Sequence, residues 1–227
     1  IEDNPKFTLM DRATIISCRA YIYFNQEKYD LAITHYKKLL NHSGLTYSLQ
    51  LNALHSLAQL SFIKEDYSSA VDYLNKRIGI EEEEDAPSHI YSLIAVSHYV
   101  LKNFKETQYY LNTAIQKAET TKGVARENDY LLKIAVYHEL VEGLDVLPIY
   151  EKLAVHHPKN KYLIQLATLY ESRGRTLDMD ALKSRETALV DSKVTRTSPP
   201  LTGFFAEVLT DTISGLPKAY IESKARE

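Results

Sequence analysis

Small residues recur along this chain at helical spacings, twelve positions apart in Ala20–Ala32 and again in Ala58–Ala70. Ala20 with Tyr23 leads to Tyr29, Ala32 and Tyr36, and Ala58 leads to Tyr67, Ala70 and Leu74. Ala95 with His98 leads to Phe104, Leu111 and Ala114, and Ala135 with His138 to Leu144, Leu147 and Ala154. Ala167 with Tyr170 opens a fifth copy that continues through Ala181 and Ala188. Between the halves of each copy stands a short polar turn: "NQEKYD", "KEDYSS", "KNFKE", "VEGLD" and "SRGRT". A small residue lets a second helix approach closely, and the aromatic after the turn fills the gap beside it. Two helices cannot bury both their faces, so such units must stack. The expectation is an all-α chain, an α-solenoid of about five and a half helix pairs.

The steps between successive first-helix alanines are 38, 37, 40 and 32 residues. The surplus in the first three falls in "NHSGLTYS", "EEEEDAPSH" and "TTKGVAREND", which predicts longer second helices or loops there. The units are placed at 13–46, 51–84, 88–121, 128–159 and 160–193, with a partial sixth at 201–227 around Ala206 and Ala219. A solenoid usually ends in a polar capping element, so the chain is expected to be part of a longer protein. Composition agrees: only 7 Gly and 7 Pro punctuate 227 residues, which favours helices over strands. The 17 Tyr and absence of Trp suit helix layers with one wet face, where a ring packs and its hydroxyl reaches water.

Several functional classes lose support at this stage. The formal charge of −3 gives no global bias toward nucleic acid or anionic lipid. No apolar run is long enough to span a membrane. Cys18 is the only cysteine, which excludes an internal disulfide and a cysteine-based zinc cage. A lone buried thiol, the state expected for it, suits oxidising and reducing compartments alike. The motifs G-x-S-x-G, G-x-x-x-x-G-K and H-E-x-x-H are missing. No catalytic residue, cofactor or metal site is therefore expected.

"HHPKNKYLIQLATLYESRG", residues 156–174, is the densest cluster of suggestive residues. Adjacent histidines on a helix point about 100° apart and rarely converge on one ion. Pro158 forces a turn, so the stretch reads as the joint between two units. His98 and His138 read as half-buried packing residues between helices. "EEEED" at 81–85 reads as a solvated loop or helix end, because it lacks the spaced acids and turn glycine of a calcium loop.

In stacked pairs the first helices line the concave surface. Register places Ser17, Tyr21, Phe24 and Asn25 there from the first unit, and Asn52, His55, Gln59 and Phe62 from the second. His89, Ser92, Val96 and Tyr99 follow from the third. Asp129, Leu132, Val136 and Glu139 come from the fourth, and Lys161, Ile164, Thr168 and Glu171 from the fifth. Amides can pair with a peptide backbone while aromatics hold side chains, so a protein or peptide partner is expected.

The unit pattern resembles the tetratricopeptide repeat, whose basic length is about 34 residues and whose stacks form a right-handed superhelix. A narrower similarity runs through "KFTLMDRATIISCRAYIYFNQEKYDLAITHYKKLL", "ALHSLAQLSFIKEDYSSAVDYL" and the segment from "ENDYLLKIAVYHEL" to "LATLYESRG". These are similar to bacterial repeat proteins encoded beside TonB energy-transduction genes. Pro158, Lys161, Tyr162, Gln165, Leu166, Leu169, Tyr170 and Gly174 match that family's last segment, and Leu163 stands where it has Trp. The resemblance implies a non-catalytic periplasmic scaffold, at or near the inner membrane, that assists TonB-dependent uptake of iron chelates. A cytoplasmic, peptide-binding regulatory repeat protein is the alternative.

Overall fold

The computed structural model describes residues 6–81, 85–140 and 145–175, with 178 and 182. Every regular element among them is a helix. In chain order these are α1 (Leu9–Asn25), α2 (Tyr29–Leu40), α3 (Tyr47–Ile63), α4 (Tyr67–Glu81) and α5 (Ser88–Val100). Then follow α6 (Phe104–Lys122), α7 (Glu127–Leu140), α8 (Leu147–His156) and α9 (Asn160–Ser172). Consecutive helices pair and each pair packs on the next, giving an α-solenoid. The second helix of the fifth unit, with Ala181 and Ala188, the partial sixth unit and Leu144 lie outside the described residues.

The helix pairs close on their small residues. Ala20, Ala32, Ala70 and Ala95 are fully buried, and Ala58 nearly so. In the third pair the position twelve after Ala95 is Thr107, which the alanine pattern does not identify. It is fully buried, and its hydroxyl donates to the Asn103 carbonyl at 2.9 Å, so the polar atom is satisfied within its own helix turn.

Four residues beyond Ala20, Ala58 and Ala95 stands an aromatic that meets the one opening the second helix. Phe24 meets Tyr29 at 6.3 Å between centroids, Phe62 meets Tyr67 at 5.7 Å and Tyr99 meets Phe104 at 5.6 Å, all edge-on. Such pairs contribute about 0.5–1.5 kcal/mol beyond area burial.

The intervening turns share one geometry. After α1 the Glu27 N–H donates to the Phe24 carbonyl at 3.0 Å and the Lys28 N–H to the Tyr23 carbonyl at 2.9 Å. Glu65 and Asp66 repeat this on Phe62 and Ser61, and Lys102 and Asn103 on Tyr99 and His98. This is the Schellman closure, which needs one left-handed residue after the helix. Here it falls on Glu27, Glu65 and Lys102, with φ of 58°, 58° and 60°. The turn after α9 has the same bonds, with Gly174 at φ 67°.

The surplus residues act at the unit borders. α6 is 19 residues long against 12 for α2. The loop before α3 presses Gly44 onto the start of α1, where a Cβ would lie 2.1 Å from the Leu9 carbonyl oxygen. Thr8 and Asp11 cap α1 reciprocally, at 3.1 and 2.9 Å between side chain and backbone.

Three readings from sequence change here. Cys18 is exposed rather than buried, because it stands two residues from both Ile16 and Ala20, off the α1 face that those two bury. His138 is exposed, whereas His98 is half-buried and stacked on Tyr110 at 5.4 Å. Glu81 is drawn in by Arg77, whose guanidinium donates to both its oxygens at 3.1 and 3.2 Å, leaving Glu81 13% exposed.

Relieving the left-handed strain in Glu65→Gly should raise stability by about 0.5–1 kcal/mol. Gly44→Ala should lower it by about 1–3 kcal/mol through overpacking against the α1 backbone. Urea unfolding followed by circular dichroism measures both.

Candidate protein-binding groove

Between the first two helix pairs lies an open cavity of roughly 500 Å³. Ser17, Cys18, Tyr21 and Ile22 of α1 line it, with Tyr36 of α2 and Asn52 and Ser56 of α3. The i, i+4 spacing of Ser17–Tyr21 and of Asn52–Ser56 puts each pair on one helix face. Tyr21 is 60% exposed and Ile22 52%, well above what core-facing residues of these types show. Tyr36 is buried, shares a hydrogen bond with Ser56, and has its phenol pushed up by burial. None of the lining side chains is charged. The groove offers apolar rings, hydroxyls and one amide, a set that suits an uncharged stretch of peptide.

Of the residues expected in the groove, the structure brings Ser17, Tyr21 and Asn52 together around this cavity. Asn25 is exposed beside them, its amide donating to the Tyr21 carbonyl at 3.0 Å. Phe24 and Tyr99 are half-buried and hold their turns through Tyr29 and Phe104. His55 and His89 are half-buried against one another. Glu139, Lys161 and Glu171 are exposed along later units and do not line the cavity.

Seven of the expected groove residues prove inaccessible: Ser92, Val96, Leu132 and Val136, each at most 1% exposed and packed between helices, and Phe62, Gln59 and Asp129. Phe62 is fully buried as the turn aromatic of the second unit, and Gln59 is 8% exposed. Asp129 is 4% exposed because it accepts two hydrogen bonds from Arg126, both at 3.1 Å. Register along the first helices did not find Cys18 and Ile22, one step off the chosen face, nor Tyr36, which arrives from a second helix.

The histidine-rich stretch at 156–162 is a joint. His157 Nε2 lies 2.8 Å from the Ala125 carbonyl oxygen, so it carries the proton and donates. Its ring meets Tyr130 edge-on at 6.1 Å. Glu127, at the start of α7, accepts from Lys159 at 2.8 and 2.5 Å and from the Tyr162 hydroxyl. One unit earlier Glu119 accepts from Lys152 at 2.6 and 2.8 Å and from the Tyr130 hydroxyl at 2.6 Å. Burial pushes both carboxyls up, but the lysine and tyrosine hydrogen bonds and nearby positive charge outweigh it and hold each below its ordinary value. The Tyr130 phenol is pushed well above the ordinary tyrosine value by burial and by Glu119.

Residues 11–83, the first two helix pairs, match the tetratricopeptide repeat model. Among solved structures, the MamA protein is 16% identical with a TM-score of 0.56, over 81% of this chain and 97% of that one. BtubC (BKLC) from P. vanneervenii is 16% identical with a TM-score of 0.54, over 85% of this chain and 87% of its own. A tetratricopeptide repeat protein from Parabacteroides merdae is 15% identical with a TM-score of 0.50, over 98% and 76%. At these identities the likeness is one of fold. No curated protein matches.

A carboxyl held below its unfolded value stabilises the fold above that value and stops doing so as pH falls through the folded one. Glu127→Gln should therefore cost about 1–2 kcal/mol at pH 7, with the difference from wild type closing as pH falls toward 3. Urea unfolding across that range measures it.

Proposed function

We propose that this chain is a non-catalytic protein-interaction scaffold that holds an extended, uncharged peptide segment of its partner in the groove between its first two helix pairs. The observation that carries this reading is the cavity walled by Tyr21, Ile22, Asn52 and Ser56. It sets exposed apolar surface beside hydroxyl and amide groups with no fixed charge. A peptide backbone brings both donors and acceptors, which neutral polar side chains match without the desolvation cost of burying an ion. The tetratricopeptide match over residues 11–83 covers the helices that build this wall.

The finer reading is an accessory role in TonB-dependent uptake of iron chelates, carried out in the periplasm. It draws on the resemblance in residues 156–174. Tyr162, Leu166 and Tyr170, which match in that stretch, are buried, so they carry kinship through packing. Deleting the gene should slow growth on iron chelates under iron starvation; unchanged growth would remove the TonB role and leave the scaffold role standing.

A photo-crosslinking residue at Tyr21 or Asn52 should capture one partner in intact cells, and the same residue at Tyr109, exposed on a second helix, should not. Tyr21→Ala should weaken that partner's binding about tenfold, the usual effect of losing one aromatic anchor. Equal capture from all three positions would place the contact elsewhere.

A further inference from the structure

The contact between the second and third helix pairs is unlike those further along the chain. His55 on α3 meets His89 on α5, with ring centroids 6.2 Å apart and planes at 89°. The Nδ1 atom of His55 is buried with no hydrogen-bond partner. Among the described residues, charged groups act on the pair from α4, from the end of α6 and from the residue before α7. From α4 come Arg77, which acts on both rings, and Glu81. Lys122 at the end of α6 and Arg126 just before α7 act on His89. Among the described residues, Glu81 is the carboxylate acting on the pair, and it is already engaged by Arg77. A proton arriving on either ring therefore enters a half-buried contact where Arg77 already acts on both rings.

We propose that the His55–His89 contact is a proton-operated joint: acid charges the two rings, they repel one another and Arg77, and the second helix pair loosens from the third while the later joints stay closed. Burial, then Arg77, then His89 push the His55 imidazole down to about 4. Burial, then Arg126 and Arg77, lower His89 against the opposing pull of Glu81. A histidine lowered in the fold stabilises it fully above the unfolded value near 6.5 and loses that contribution as pH falls toward the folded value. For His55 the loss at pH 5 corresponds to about a thirtyfold drop in the equilibrium favouring the closed joint. Glu119 and Glu127, which tie the later units, have values held below the ordinary carboxylate range and remain ionised at that pH.

The test begins with the wild-type chain. Histidine Cε1–H resonances followed from pH 8 to 4 should show His55 titrating below pH 5 and His89 below 6.5. Hydrogen exchange, corrected for intrinsic rates, should rise first in α3 to α5 on moving from pH 7.5 to 5. His55→Gln should flatten the fall in stability over the same interval about tenfold or more. Both rings titrating near 6.5, or acid-induced exchange beginning in α7 to α9, would overturn the proposal. The wild-type titration and exchange decide the matter even if the variant folds poorly.

Discussion

Close approach of two helices at a side chain no larger than a methyl group or threonine is the constraint that everything else here depends on. Ala20 on Ala32, Ala58 on Ala70 and Ala95 on Thr107 leave no room for solvent, each being at most 1% exposed. Bringing two helices to that distance fixes how their aromatic neighbours meet, which is why Phe24–Tyr29, Phe62–Tyr67 and Tyr99–Phe104 repeat one geometry. The turn between them must be equally tight, so three units accept a left-handed Glu or Lys where glycine would be less strained. A pair closed this way still has an apolar flank, and only a neighbouring pair can cover it.

The template fixes the pairs but leaves the chemistry of the joints between them free. The second and third pairs pack chiefly through α4 against α5, and there His55 meets His89 beside Arg77 and Glu81. The third and fourth are tied by Glu119 to Lys152 and Tyr130, and the fourth and fifth by Glu127 to Lys159 and Tyr162. In a stack where each unit touches only its neighbours, stability is close to a sum over units and joints. Different joint chemistry along one chain therefore gives one fold several local responses.

The fold was legible because its signal is repeated and its register is set by size: a small residue, an aromatic, a polar turn and a second small residue recur in order. The groove was only partly legible, for a geometric reason. A helix turns about 100° per residue, so one step separates Tyr21, which faces the cavity, from Ala20, which is fully buried. Phe62 was read as a groove anchor, yet it stands at the same unit position as Phe24 and Tyr99 and has the same partner five residues on. That repetition marks a packing pair. Tyr36 could not be found by reading first helices, because its ring crosses from a second helix to reach Ser56.

Residues that repeat from unit to unit hold the stack, and residues that break the pattern are where individuality lies. Tyr21, Ile22 and Asn52 have no matching set in the third unit, where the corresponding face of α5 carries His89 and buried Ser92 and Val96. His55 and His89 likewise stand on adjacent helices with no such pair in the later units. The uncharged groove and the histidine contact thus share α3: Asn52 and Ser56 face the cavity, while His55 between them meets α5. A helix that forms one wall of a groove and one side of a joint couples the two mechanically. Any tilt of α3 that relieves crowding at His55 also moves Asn52 and Ser56 relative to Tyr21.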